Sequence, residues 1–145
     1  MKLQTLLATT LICAFSVQAA ADEARVYKEG PVTVVTYVKV KPGQFDNYMK
    51  FLDTTYKPLQ EELIKAKVTV GYKIYSNQAR DPHDADLILS VTYPNMAALD
   101  NLADRTDAIA EKFGGNRDKR NQAAADRESM REILGSKDIR ELILK

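Results

Sequence analysis

The sequence predicts an α+β domain in which amphipathic helices cover one face of a four-stranded antiparallel sheet. Three observations carry this. Apolar residues alternate in short runs at 32–40, 68–76 and 87–93, the period-two signature of strands. Two stretches between them carry apolar side chains at steps of three and four, the signature of helices packed by one face. The composition is that of one ordinary globular domain: 145 residues, 45% hydrophobic, 28% charged, net charge +1. That balance excludes a chain steered to nucleic acid by its bulk field and a chain too polar to bury a core.

The first element is a secretory signal. Lys2 is the only charge ahead of Asp22. An apolar stretch follows (Leu6, Leu7, Leu11, Ile12, Phe15), then small residues at Ala19 and Ala21. A basic start, a short apolar core and an A-x-A site predict residues 1–21 as a signal peptide, cut after Ala21 or Ala19. The apolar stretch is shorter than the roughly 20 residues of a spanning helix, so a periplasmic or secreted protein is expected, without stable membrane insertion. Cleavage removes Cys13, the only cysteine. The mature chain then has no disulfide and no thiolate chemistry. Ile12 in front of Cys13 argues against lipidation. Loss of Lys2 leaves acidic and basic side chains balanced, which favours neither anionic membranes nor acidic substrates.

Residues 22–30 read as a loose polar arm, and residues 31–145 as the domain. In the first strand Val32, Val34, Thr36, Val38 and Val40 share one face, and Thr33, Val35, Tyr37 and Lys39 the other. Pro42-Gly43 stops it. Phe45, Tyr48, Met49, Leu52, Tyr56, Leu59 and Leu63 then form one helical stripe. Pro58 is expected to kink or split that helix after about Lys57. The second strand is expected over 68–76. The loop 77–86 holds His83, the only histidine. After the third strand, Asn95 is placed to cap a helix striped by Met96, Leu99, Leu102, Thr106, Ile109 and Phe113, which Gly114-Gly115 closes. A further, highly charged helix is expected over 117–134, broken by Gly135-Ser136, with a last strand over 139–144. The order βαββαβ, with one extra C-terminal helix, is the split-βαβ pattern of a ferredoxin-like domain.

One sheet face is aliphatic and serves the helices. The other is mixed: Val35, Tyr37, Tyr75, Ile88, Ser90, Thr92 and, in the last strand, Ile139 and Ile143. It is too apolar to leave wet, so a second copy of the chain is expected to cover it. The stretch Val38-Lys39-Val40-Lys41-Pro42-Gly43-Gln44-Phe45 with Tyr48, and later Val91-Thr92-Tyr93-Pro94-Asn95-Met96-Ala97-Ala98-Leu99, resembles the dimeric α/β-barrel superfamily. That group includes antibiotic-biosynthesis-monooxygenase-like, stress-responsive and haem-degrading barrels. The resemblance covers about residues 32–113. It implies a homodimer whose two sheets face each other as a barrel, and it implies a fold more than a reaction, because the superfamily hosts several chemistries. The long charged helix before the last strand departs from that pattern.

Candidate chemistry is sparse. Phosphate-loop, serine-elbow and zinc-protease motifs are absent from the sequence. Tyr37, Tyr75, Ser90 and Thr92 share the mixed face by parity and are the candidate ligand-binding set, able to orient a polar aromatic molecule between the sheets. Haem-degrading and quinone-forming relatives often use Asn, His or Trp in the cavity. This chain has no Trp, and its matching helix offers Asn47. No flavin, haem or metal motif is legible, so no cofactor and no metal are expected. The spacing of Asp81, Asp84 and Asp86 around His83 matches no metal loop, and His83 is expected in an exposed loop. Arg120, Arg127 and Arg131 fall at steps of seven and four. They can form an anion clamp, but the interleaved Asp118, Asp126, Glu128 and Glu132 favour a solvated, salt-bridged helix. Two functions fit: a secreted homodimer that binds a small, partly apolar molecule, with a cofactor-free monooxygenase as its catalytic form, or a non-enzymatic periplasmic interaction protein whose barrel is only a dimer core.

Overall fold

The computed structural model describes residues 25–145; the expected signal peptide lies outside the described residues. Alternating β-branched residues build β1, Tyr27–Val40. It starts within the stretch expected as a loose arm, because Tyr27, Lys28 and Glu29 find partners in Leu144, Ile143 and Leu142. Lys41 to Gly43 turn the chain, with Gly43 at φ 74°, a left-handed conformation that glycine adopts without strain.

A single helical rod follows in three parts: α1 (Phe45–Phe51), a π-helical segment (Leu52–Tyr56) and α2 (Lys57–Lys65). Pro58 in the first turn of α2 accounts for the middle part. Its ring would press on the carbonyl four residues back in a regular helix, and it has no N–H to donate. The wider π turn relieves that crowding. The expected break is thus at the expected place, as a widening.

Two expected boundaries shift. The second strand, β2, is Gly71–Ser76 and starts later than 68, because the amides of Val68 and Thr69 bond back to the Leu63 carbonyl as the end of α2. After β3 (Leu87–Tyr93), the Asn95 side chain accepts from the Ala98 amide at 3.0 Å. It thereby caps a short 3-10 turn, Met96–Leu99, and not the long helix. That helix, α3, runs Leu102–Gly114 and ends at Gly115, φ 75°, as the Gly-Gly pair predicts.

The largest correction lies beyond. The charged helix α4 is only Arg117–Arg127, and β4 spans Arg131–Leu144. Gly135-Ser136, expected to break a helix, sits inside this strand. The reason is tertiary: β1 presents a long row of ladder groups, and Arg131 to Leu144 pair along it from Val40 to Tyr27. Gly135 stands opposite Tyr37, next to a register shift that leaves Leu134 as an extra residue, a β-bulge.

The sheet order is β2-β3-β1-β4, antiparallel throughout. This is the βαββαβ ferredoxin-like arrangement with one added helix. Val38 pairs with Leu87 and Thr36 with Leu89, all on the helix side. Val38, Tyr48, Leu52 and Leu87 form the core, packed by Phe51, Tyr56, Ile74, Leu89 and Met130. The aliphatic parity read from β1 is therefore the inner face.

Candidate functional site

Between the inner face and the helices lies a cavity of about 660 Å³. Its sheet floor is Thr36, Val38, Leu89 and Ile133; the α1–α2 rod supplies Tyr48, Phe51, Thr55, Tyr56 and Leu59. Ala110 and Phe113 come from α3, and Arg120, Ala123 and Arg127 from α4, with Met130 and Arg131 closing one side. Small residues explain the hollow: Ala110 and Ala123 bring little side chain to walls that larger residues would fill. Gly114 has a separate role. A Cβ there would meet the Arg120 Cγ at 2.8 Å, so glycine lets Arg120 pass. Arg120 donates to the Gly115 carbonyl at 2.9 Å and forms an ion pair with Asp107, which ties α4 to α3.

The other two arginines are held differently. The Arg127 guanidinium lies 5.0 Å from the centre of the Phe51 ring, and that of Arg131 lies 5.8 Å from the Tyr48 ring. These two rings stack on each other with centroids 6.0 Å apart. Among the described residues neither guanidinium meets a carboxylate. The Nε of Arg131 is buried without a hydrogen-bond partner, a situation that ordinarily implies a missing acceptor. Burial, followed by the charge of Arg131, holds the Arg127 guanidinium below its usual range.

Phenols behave in the opposite sense. Burial pushes the Tyr56 hydroxyl well above its ordinary value, and the neighbouring Tyr48, Tyr93 and Tyr72 add to this. Tyr48 is raised by burial against the opposing pull of Arg131 and Arg127. At neutral pH both are therefore uncharged hydrogen-bond donors. The linkage is testable. Above about pH 10 the unfolded chain releases phenolic protons that the folded protein keeps, so stability is full below that pH and falls as pH rises. Guanidinium denaturation midpoints from pH 8 to 11 are expected to drop, and Tyr56→Phe to flatten the drop. An identical slope in the variant would remove Tyr56 as the cause.

The sequence-predicted set sits on the other face. Tyr37 pairs with Ile88, and Ile88 with Tyr75, so the three form one row across the outer face. Ser90 and Thr92 lie on the rows beside it: Ser90 Oγ donates to the Lys73 carbonyl at 3.4 Å, and Thr92 shares a 2.9 Å hydrogen bond with Thr33. Asn47 does not join them. It is exposed on α1 and donates to the Gln44 side chain at 2.9 Å. Tyr37 also lines a smaller hollow of about 300 Å³ with His83, Asp84, Ala85 and residues 134–137, opened by the missing side chain of Gly135. His83 is exposed as expected. The loop carboxylates serve backbone turns: Asp81 accepts from the His83 amide, Asp84 from the Arg80 and Asp81 amides, and Asp86 from the Val40 amide and Lys39 Nζ.

The arginine stripe is the site signal that charge counting misjudged. Arg120, Arg127 and Arg131 do not share a solvated helix; Arg131 opens β4, and all three line the cavity. The spacing brought them together on the page. The interleaved acids concealed it, since Asp126 alone of them reaches the wall and is already taken by Gln122 at 2.9 Å.

No family model matches the chain, and no curated protein does. Solved structures do. HapK from Hahella chejuensis is 13% identical, with a TM-score of 0.50, over 76% of this chain and 91% of its own. A dimeric ferredoxin-like protein from an uncultured marine organism is 8% identical, with a TM-score of 0.51, over 81% of this chain and 98% of its own. A chlorite dismutase-like protein is 14% identical at a TM-score of 0.44, and the match spans 43% of that longer chain. At these identities the likeness to the first two establishes the ferredoxin-like fold of the subunit and no activity.

Proposed function

We propose that this is an exported, homodimeric small-molecule-binding protein that holds a partly apolar ligand between the sheet and the helices of each subunit. One observation carries the reading: a cavity of about 660 Å³, within the usual size range of ligand sites, has an aromatic and aliphatic lining with a few convergent polar groups. Thr36, Thr55 and Tyr56 are those groups on the floor and rod. Homodimerisation is supported by the exposed apolar outer face, where Tyr75 is 47% and Ile139 54% exposed. Export rests on the N-terminal pattern alone; the N-terminus of the protein recovered from a periplasmic extract, read by mass spectrometry, is expected at Ala20 or Asp22.

Binding is tested with N-phenyl-1-naphthylamine, a neutral apolar probe whose emission rises on burial; the chain has no Trp to interfere. Saturable binding near one probe per subunit is expected. Ala110→Phe fills the wall and is expected to weaken it at least about tenfold with an unchanged circular dichroism spectrum. Absence of binding in the native protein would end this reading. In its catalytic form the ligand is itself the reductant of O2, as a hydroquinone is, and the neutral phenols of Tyr48 and Tyr56 orient it. Oxygen uptake with hydroquinones tests that form separately from binding.

A further inference from the structure

We propose that the ligand of this cavity is an amphiphilic monoanion, an alkyl or aryl carboxylate whose head is clamped by Arg127 and Arg131. The inference rests on the helix-side cavity being the binding site and adds the charge of its occupant. Arg120 is already neutralised by Asp107. Arg127 and Arg131 are not neutralised among the described residues, and the wall offers them only Asp126, which is held by Gln122. The cavity therefore carries two free guanidiniums against one carboxylate, an excess of one positive charge. A single anionic head balances it.

The geometry fits such a head. Each guanidinium is seated on a ring of one stacked pair, Arg127 on Phe51 and Arg131 on Tyr48. These cation–π contacts engage the ring faces and need none of the N–H donors, with which arginine grips a planar carboxylate. The orphaned Nε of Arg131 supplies one donor that a carboxylate oxygen satisfies. An anion between the two arginines also relieves their mutual repulsion, which Arg127 registers. Leu59, Ala110 and Phe113 line the same cavity, an apolar wall for the body of the ligand.

The test displaces N-phenyl-1-naphthylamine from the full-length mature protein at pH 7.5 with decanoate and, in parallel, with decan-1-ol. Decanoate is expected to compete at least about tenfold better, the gain of charge-assisted hydrogen bonds over neutral ones. Raising salt from 20 to 500 mM is expected to weaken decanoate and leave decanol unmoved. In an Arg127→Gln, Arg131→Gln double variant the advantage is expected to shrink to under about threefold; if that variant does not fold, the salt response of the native protein decides. Equal competition by acid and alcohol, with no salt dependence, overturns the clamp while leaving the binding site standing. Failure of the probe itself to bind overturns both.

Discussion

Val38→Asp is expected to abolish cooperative folding. Val38 is 1% exposed at the centre of the core, flanked by Leu87 on β3 and Ile133 on β4 and packed with Tyr48 and Leu52. None of these neighbours carries a positive charge to balance a carboxylate. Burying the charge costs several kcal/mol, and burying the protonated acid still strands a polar group. Native stability is only about 5–15 kcal/mol in total. Val38→Ala, which opens a small cavity, should by comparison cost about 2 kcal/mol and leave a folded protein. Thermal melts by circular dichroism compare the two. A cooperative Val38→Asp melt near the wild-type temperature would show that this side of the sheet is not the core.

Ile139→Glu is expected to convert a dimer into a folded monomer. Ile139 stands opposite Thr33 on the outer face, half exposed in the single chain, so the subunit fold tolerates the change. In a symmetric dimer each substitution counts twice. Losing two buried isoleucines at about 1.5–3 kcal/mol each, and desolvating two carboxylates instead, weakens association by at least about a hundredfold. Sedimentation velocity at micromolar concentration reads this directly. A wild-type monomer would dispose of the barrel; a dimeric Ile139→Glu variant would place the interface elsewhere. Val35 is a poorer probe than its parity suggests, because it is already 9% exposed in the isolated subunit, shielded by its neighbours on the sheet.

Where side chains obey one dominant period, the fold was legible. Val32 and Val38 of the even residues of β1 are buried, and Tyr37, Ile88 and Tyr75 do share the outer face. Pro58 disturbs the rod where proline chemistry demands. The stretch after Arg127 was not legible, because β4 is a sheet edge with charged residues on both faces, as edge strands have. Only the partner strand β1 reveals it. The cavity was hidden for a related reason. Parity assigns residues to faces but says nothing of how much side chain the helices bring to the space above the sheet, and at the walls Ala110 and Ala123 bring little. Arg131 could not be read as a wall residue while it was assigned to a helix.

The π-helical segment carries a consequence for how this chain tolerates changes of length. Its wide turn holds one more residue than a regular helix of the same rise. Removing one residue among Leu52–Tyr56 would let the rod close into a regular helix with both flanking stripes still in phase, provided Pro58 is replaced as well. The same deletion one turn later, at Glu61, would rotate everything beyond it by about 100° and swing Leu63 out of the core. Length variation in this rod is therefore confined to a segment whose last residues, Thr55 and Tyr56, form part of the cavity wall, so a change in chain length there reshapes the site.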